Sequence, residues 1–164
     1  MSTQDSTLLE VGPPKQRVLQ ALGSSDCVAA TCAMIAGETL EEAHAWAGTK
    51  LGEPWHDCIA AAFLLSRGIW MGYGIGLVEP MVVDPEWQFS NSGKLTDQPC
   101  YMAVRSRSDP EGSHAVFWDG RVVWDPHPWA EDAEPLENYE VSDFWPLFRL
   151  PYQMKRRMAK LRLN

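Results

Sequence analysis

No stretch of the 164-residue chain runs for about 18 apolar residues, so no segment reads as a membrane-spanning helix. The N-terminus, Met1-Ser-Thr-Gln-Asp-Ser, has neither the basic nor the apolar region of a secretory signal. Cysteine is sparse: four residues, at 27, 32, 58 and 100, with no C-x-x-C pair among them. That is too few for a disulfide scaffold and wrongly spaced for a zinc ribbon, so free thiols are expected. Internal repeats and low-complexity tracts are missing too. These absences predict a cytoplasmic protein, in a bacterial cell or a virus-infected host, and composition does not choose between a bacterial and a phage source. Basic residues are also short, 14 against 22 acids, for a net charge of −8. Five of them (Lys155, Arg156, Arg157, Lys160 and Arg162) lie in an acid-free tail, which leaves −13 on the rest. Such a body repels phosphate and argues against nucleic acid as a partner.

A hydrophobic content of 45% and eight tryptophans suffice for one core. The expected organisation is a loose leader over 1–14, ending in Gly12-Pro13-Pro14, one domain over 15–152, and the basic tail over 153–164. Residues 24–37 open on Ser24, Ser25 and Asp26 and close on Gly37, the start and stop signals of a helix. Apolar residues occupy nearly every face of it, which predicts burial. A second helix is expected from Thr39 through Trp46, with Glu41 and Glu42 in its first turn. A third fits Asp57 to Leu65. Beyond Gly68 the chain turns to short, glycine- and proline-punctuated runs, and Cys100 to Arg105 alternates as a strand does. Helices first and strands later indicate α+β.

Between Ser113 and Asp125, two β-prone runs flank Asp119-Gly120, a two-residue hairpin signal. With those two as the loop, Trp118 faces Arg121, Val116 faces Val123, and His114 faces Asp125. Residues opposed in this way share one face of the sheet. Asp125 is then placed to accept the Nδ1 proton of His114, leaving Nε2 as a base. Pro126 ends the strand.

A reactive thiol needs help to become a thiolate, and a helix N-terminus gives it. Cys27 has that position, with Asp26 before it as an N-cap whose carboxylate is expected on the helix amides. Cys58, which also follows an aspartate at a helix start, ranks second. Cys32 lies on another face of the first helix and Cys100 on a strand, so both read as core. His44 is expected mid-helix and exposed. His56 and His127 have no obvious cysteine partner for catalysis, and His56 with Asp57 and Cys58 lacks the second spaced ligand pair of a metal site.

The stretch from Gln20 to Gly37, with its Asp-Cys-x-x-Ala-x-x-Ala-Met core, resembles the nucleophile helix of papain-like peptidases of the bacteriocin-processing type. The later His114 and Asp125-Pro126 are similar to that family's histidine and Asp-Pro. Two departures stand out: Val28 replaces the usual glycine, and seven positions rather than six separate Gln20 from Cys27. Gln16 is a weaker substitute for Gln20. The resemblance implies a papain-like fold, N-terminal helices with the nucleophile helix packed on a C-terminal antiparallel sheet. It also implies a cysteine hydrolase in which Cys27 attacks a carbonyl of a peptide or protein substrate. In that reading His114 moves the proton, Asp125 orients it, and Gln20 with the Cys27 amide holds the oxyanion. No metal or organic cofactor is called for. Trp118, on the His114 face, is the expected substrate contact, ahead of Trp124 and Trp129. Peptidase, deamidase and transglutaminase chemistry share this acyl-enzyme. The rival expectation is a latent papain-like module that binds and inhibits a protein partner through the apolar run Phe144 to Phe148 and the basic tail.

Overall fold

The computed structural model describes residues 11–89, 93–109 and 111–151. The expected basic tail, and all of the expected leader but its last four residues, lie outside that range. Val11, within the expected leader, is buried in the core.

Three helices come first: α1 (Cys27–Ala36), α2 (Leu40–Ala47) and α3 (Asp57–Ser66). Gly37 ends α1 in a left-handed conformation, and Thr39 starts α2 with a reciprocal capping box to Glu42. Four alanines in α1 let it lie close on the sheet, where Thr31 donates to the carbonyl of Ala115 at 3.0 Å. Residues Ala29 to Ile35 are all buried.

The strands follow: β1 (Ile69–Met71), β2 (Ile75–Met81), β3 (Gln88–Phe89), β4 (Gly93–Lys94), β5 (Cys100–Arg105), β6 (Ser113–Trp118), β7 (Val123–Trp124) and β8 (Val141–Arg149). The main antiparallel sheet runs β1-β8-β5-β6-β7, with β2 also paired to β8, while β3 and β4 form a small ribbon. Among the described residues the architecture is therefore α+β. Alternation along β6 sends Ala115 and Phe117 into the core shared with the helices, and Val116 and Trp118 into a second core on the opposite face.

The run Phe144 to Phe148 is a correction to the expected interface. It is part of β8, interior to the sheet, with Phe144 and Leu147 both 1% exposed. Pro146 is tolerated there because it faces the junction of β1 and β2, where its carbonyl accepts from Gly72 at 2.7 Å. The chain passes that junction at Gly74, where a Cβ would sit 2.3 Å from Trp145 Nε1.

Candidate active site

Cys27 is the first residue of α1, and His114 is the second of β6, the strand on which α1 rests. Asp125 follows β7 directly. The hairpin joining the histidine to the aspartate is longer than its sequence signal indicates. Trp118 pairs with Val123 and Phe117 with Trp124, so the loop is four residues, 119–122. The cause is Asp119: its Oδ1 accepts from the amides of Arg121 and Val122 at 2.8 and 2.9 Å, and its Oδ2 from Trp124 Nε1 at 2.8 Å. An aspartate that closes its own turn takes two further residues into the loop. The shift is two positions, so Asp125 stays on the His114 face, diagonal to it rather than opposite.

The contact between the two survives: His114 Nε2 lies 2.6 Å from Asp125 Oδ1. This corrects the expected tautomer, since Nε2 and not Nδ1 points to the carboxylate. Nδ1 is the ring nitrogen that the carboxylate leaves unused, and Cys27 lines the same cleft as His114, close enough for the two to shift each other's ionisation. Burial works against charge on each group. Burial raises the thiol pKa, but the imidazole and the amides of Ala115 and Val28 outweigh it and the net shift is downward. Burial likewise opposes imidazolium at His114, yet Asp125 and Cys27 hold it up to about 9. Asp125 is buried too, and is nonetheless kept below the usual carboxylate range by His114, the His127 amide and Tyr139. All three shifts run toward the charged form, thiolate at Cys27, imidazolium at His114 and carboxylate at Asp125.

Around this row stand residues that no motif announced. Tyr139 donates its hydroxyl to Asp125 Oδ2 at 3.2 Å, and the His127 amide donates to Oδ1 at 2.8 Å. Arg17 donates Nε to the Asp125 carbonyl at 2.7 Å and Nη2 to that of His127 at 2.5 Å. The Arg107 guanidinium covers the Tyr139 ring at 4.6 Å and pairs with Glu134. The His127 amide is local to the Asp125-Pro126 step, whereas Tyr139, Arg17 and Arg107 come from other segments. A cleft of about 280 Å³ opens beside Cys27 and His114, bounded by Tyr101, Trp145, Asp57 and Asp143.

The other expected residues sort as follows. Gln20 is buried, its amide N–H bonds the Pro126 carbonyl at 3.0 Å, and its Oε1 has no partner. Trp118, expected as a substrate contact, lies outside the lining of this cleft: it is 1% exposed in the second core, with Nε1 donating to the Leu95 carbonyl at 2.8 Å. It shares the His114 face but lies four residues on, about 13 Å along the strand. Cys58 is exposed and Cys32 and Cys100 are buried, with burial pushing both of the latter thiols up. His44, expected on the surface, is 2% exposed, and Asp26 does not cap α1 with its side chain. Among the described residues no three His, Cys, Asp or Glu side chains converge as a metal site requires, and no helix is long and apolar enough to cross a membrane.

The fold is similar to that of a double glycine motif protease from an AMS/PCAT transporter, solved in complex with the leader peptide. The TM-score is 0.50, at 16% identity, over 84% of this chain and 94% of that one. No protein-family model and no curated protein matches the sequence.

Proposed function

We propose that this protein is a cysteine hydrolase that cleaves an amide bond in a peptide or protein, with Cys27 as nucleophile. The observation that carries the reading is the 2.6 Å contact of His114 Nε2 with Asp125 Oδ1 at the edge of the cleft that His114 and Cys27 line together. The thiolate attacks the substrate carbonyl carbon, forming a C–S bond and an oxyanion. The Cys27 amide receives that charge, joined by the side-chain amide of Gln20, which its backbone holds beside Pro126. As the C–N bond breaks, His114 gives its Nδ1 proton to the leaving amine. Water then attacks the thioester, losing a proton to the same nitrogen, and the acid departs as the thiolate re-forms. Asp125 fixes the ring and balances its charge. The protease of similar fold, solved with a leader peptide, supports a peptide as the substrate class.

The test is the rate of Cys27 alkylation by iodoacetamide from pH 4 to 9, read by peptide mass spectrometry in wild type and His114→Ala. Fast labelling at pH 6 that depends on His114 is the expected result. Labelling like that of a free thiol of pKa about 8.5, indifferent to the substitution, overturns the proposal. Incubation with peptide pools then separates hydrolysis from deamidation and acyl transfer by product mass.

A further inference from the structure

Asp26 immediately precedes Cys27 and sits at the N-cap of α1, where an aspartate ordinarily turns its carboxylate onto the first helical amides. Here the carboxylate goes elsewhere. Its Oδ1 accepts from Gly52 N at 2.8 Å and lies 3.0 Å from His44 Nε2, while Oδ2 has no partner. The side chains of Asp26 and His44 are 1% and 3% exposed. His44 is itself fixed: its Nδ1 lies 2.8 Å from Thr49 Oγ1, which also accepts from Trp55 Nε1 at 3.0 Å. The Trp55 ring meets the imidazole edge-on at 5.7 Å. This buried chain has no part in the chemistry proposed above.

Its consequence lies at the start of α1. With Asp26 turned away, no side chain caps the helix, and the Val28 amide is within hydrogen-bonding reach of the Cys27 sulfur. A carboxylate in the cap position would compete for the same amides and set a like charge beside the thiolate. We infer that His44 is a positioning residue for the nucleophile: together with Gly52 it holds the Asp26 carboxylate off the start of α1 and so keeps those amides for the Cys27 sulfur. The inference rests on Cys27 being the nucleophile. The other titratable groups around Cys27 are His114 from β6 with Asp125 behind it, Asp57 from α3, Asp143 from β8, Tyr101 from β5 and Cys32 within α1. The hydrogen-bond and ring partners of His44 are Asp26, Thr49 and Trp55, so the groups around Cys27 form a constant background when His44 is changed.

The experiment is the pH midpoint of Cys27 alkylation on the full chain, with near-ultraviolet circular dichroism reporting the fold. His44→Phe keeps a ring against Trp55 and removes both nitrogens. Its midpoint is expected to rise by about one pH unit, making labelling at pH 6 about tenfold slower. His44→Gln, whose side-chain amide can still donate to Asp26, is expected to label as wild type does. The double variant Asp26→Ala/His44→Phe, with no carboxylate left to compete, is expected at or below the wild-type midpoint. A folded His44→Phe with the wild-type midpoint overturns the inference, as does a double variant as impaired as the single one. If His44→Phe does not fold, the double variant decides: a midpoint above wild type overturns the inference, and one at or below it upholds it. A free-thiol midpoint in the wild type itself removes the nucleophile reading and this inference with it. A low wild-type midpoint that His44→Phe leaves in place removes only the inference.

Discussion

His114 and Asp125 meet at 2.6 Å through Nε2 and Oδ1 although they are diagonal, not opposed, in the hairpin that joins them. The carboxylate is aimed by three further contacts: the Tyr139 hydroxyl, the His127 amide, and Arg17 on its own backbone carbonyl. Orientation and charge at Asp125 are therefore separable. Asp125→Asn keeps an oxygen for Nε2–H but gives up the negative charge, whereas Asp125→Ala gives up both. Hydrolysis by the Ala variant is expected to fall by about 10²- to 10⁴-fold, the usual worth of a positioned acid–base group. The Asn variant is expected to retain more, with the alkaline limb of its pH–rate profile moved to lower pH. Equal losses in the two variants, measured as kcat/KM, contradict this division.

Activity should have a pH window set by two groups. In the proposed mechanism the thiolate forms as pH rises through the lowered pKa of Cys27, and the leaving amine takes the proton on His114, whose pKa is held up to about 9. A bell-shaped kcat/KM profile with its upper limb near 9 is expected. Stability carries the same signs. The folded pKa of His114 lies above its unfolded value of about 6.5, so its contribution is complete below that value and is lost as pH rises through about 9. Asp125 runs the other way: its contribution is present above about pH 3.9 and lost as pH falls through its lowered folded value. Urea midpoints measured across pH should fall at both ends, and His114→Ala should flatten the alkaline fall.

The parts of this site written in local sequence were legible, and the parts made by distant segments were not. Asp26 and Gly37 bracket α1, Thr39 starts α2, and the alternation from Cys100 to Arg105 is β5 to the residue. The pairing of His114 with Asp125 was readable because strand parity survives a shift of two. The shift itself was not, since it depends on whether the Asp119 carboxylate folds back onto the Arg121 and Val122 amides. The strand β8 is not legible in sequence because Pro146 argues against a strand, and only the β1–β2 junction at Gly72 makes it harmless. His44 looked like a surface residue of an acidic helix. Its burial follows from Asp26, eighteen positions earlier, which no periodicity in α2 encodes.

Tyr139 is the residue whose role is easiest to isolate. Tyr139→Phe preserves the ring under the Arg107 guanidinium and deletes only the donor to Asp125 Oδ2. Leaving a buried acceptor without its partner costs about 1–3 kcal/mol, to be read as a lower urea midpoint with an unchanged slope. Because Asp125 keeps the His127 amide and His114 on Oδ1, the ring stays oriented and kcat/KM should drop by about tenfold or less, well short of the loss in an acid–base residue. A loss as large as that of Asp125→Ala means that Tyr139 governs where the carboxylate points.

Trp118 separates packing from recognition. Its ring fills the second core with Val116, Met102 and Val123, and its indole N–H is satisfied by the Leu95 carbonyl. Trp118→Ala removes that volume and leaves a cavity on the face of the sheet away from the helices, at a cost of about 3–5 kcal/mol. The cleft beside Cys27 is bounded by Trp145 and Tyr101 and does not reach Trp118. In the fraction that remains folded, the pH midpoint of Cys27 alkylation and the KM for any peptide found to be cleaved should therefore match wild type. A raised KM at full occupancy of the folded state would restore Trp118 as a substrate contact. A lower melting temperature with unchanged KM makes it a core residue alone, and turns attention to Trp145 as the aromatic wall a peptide meets.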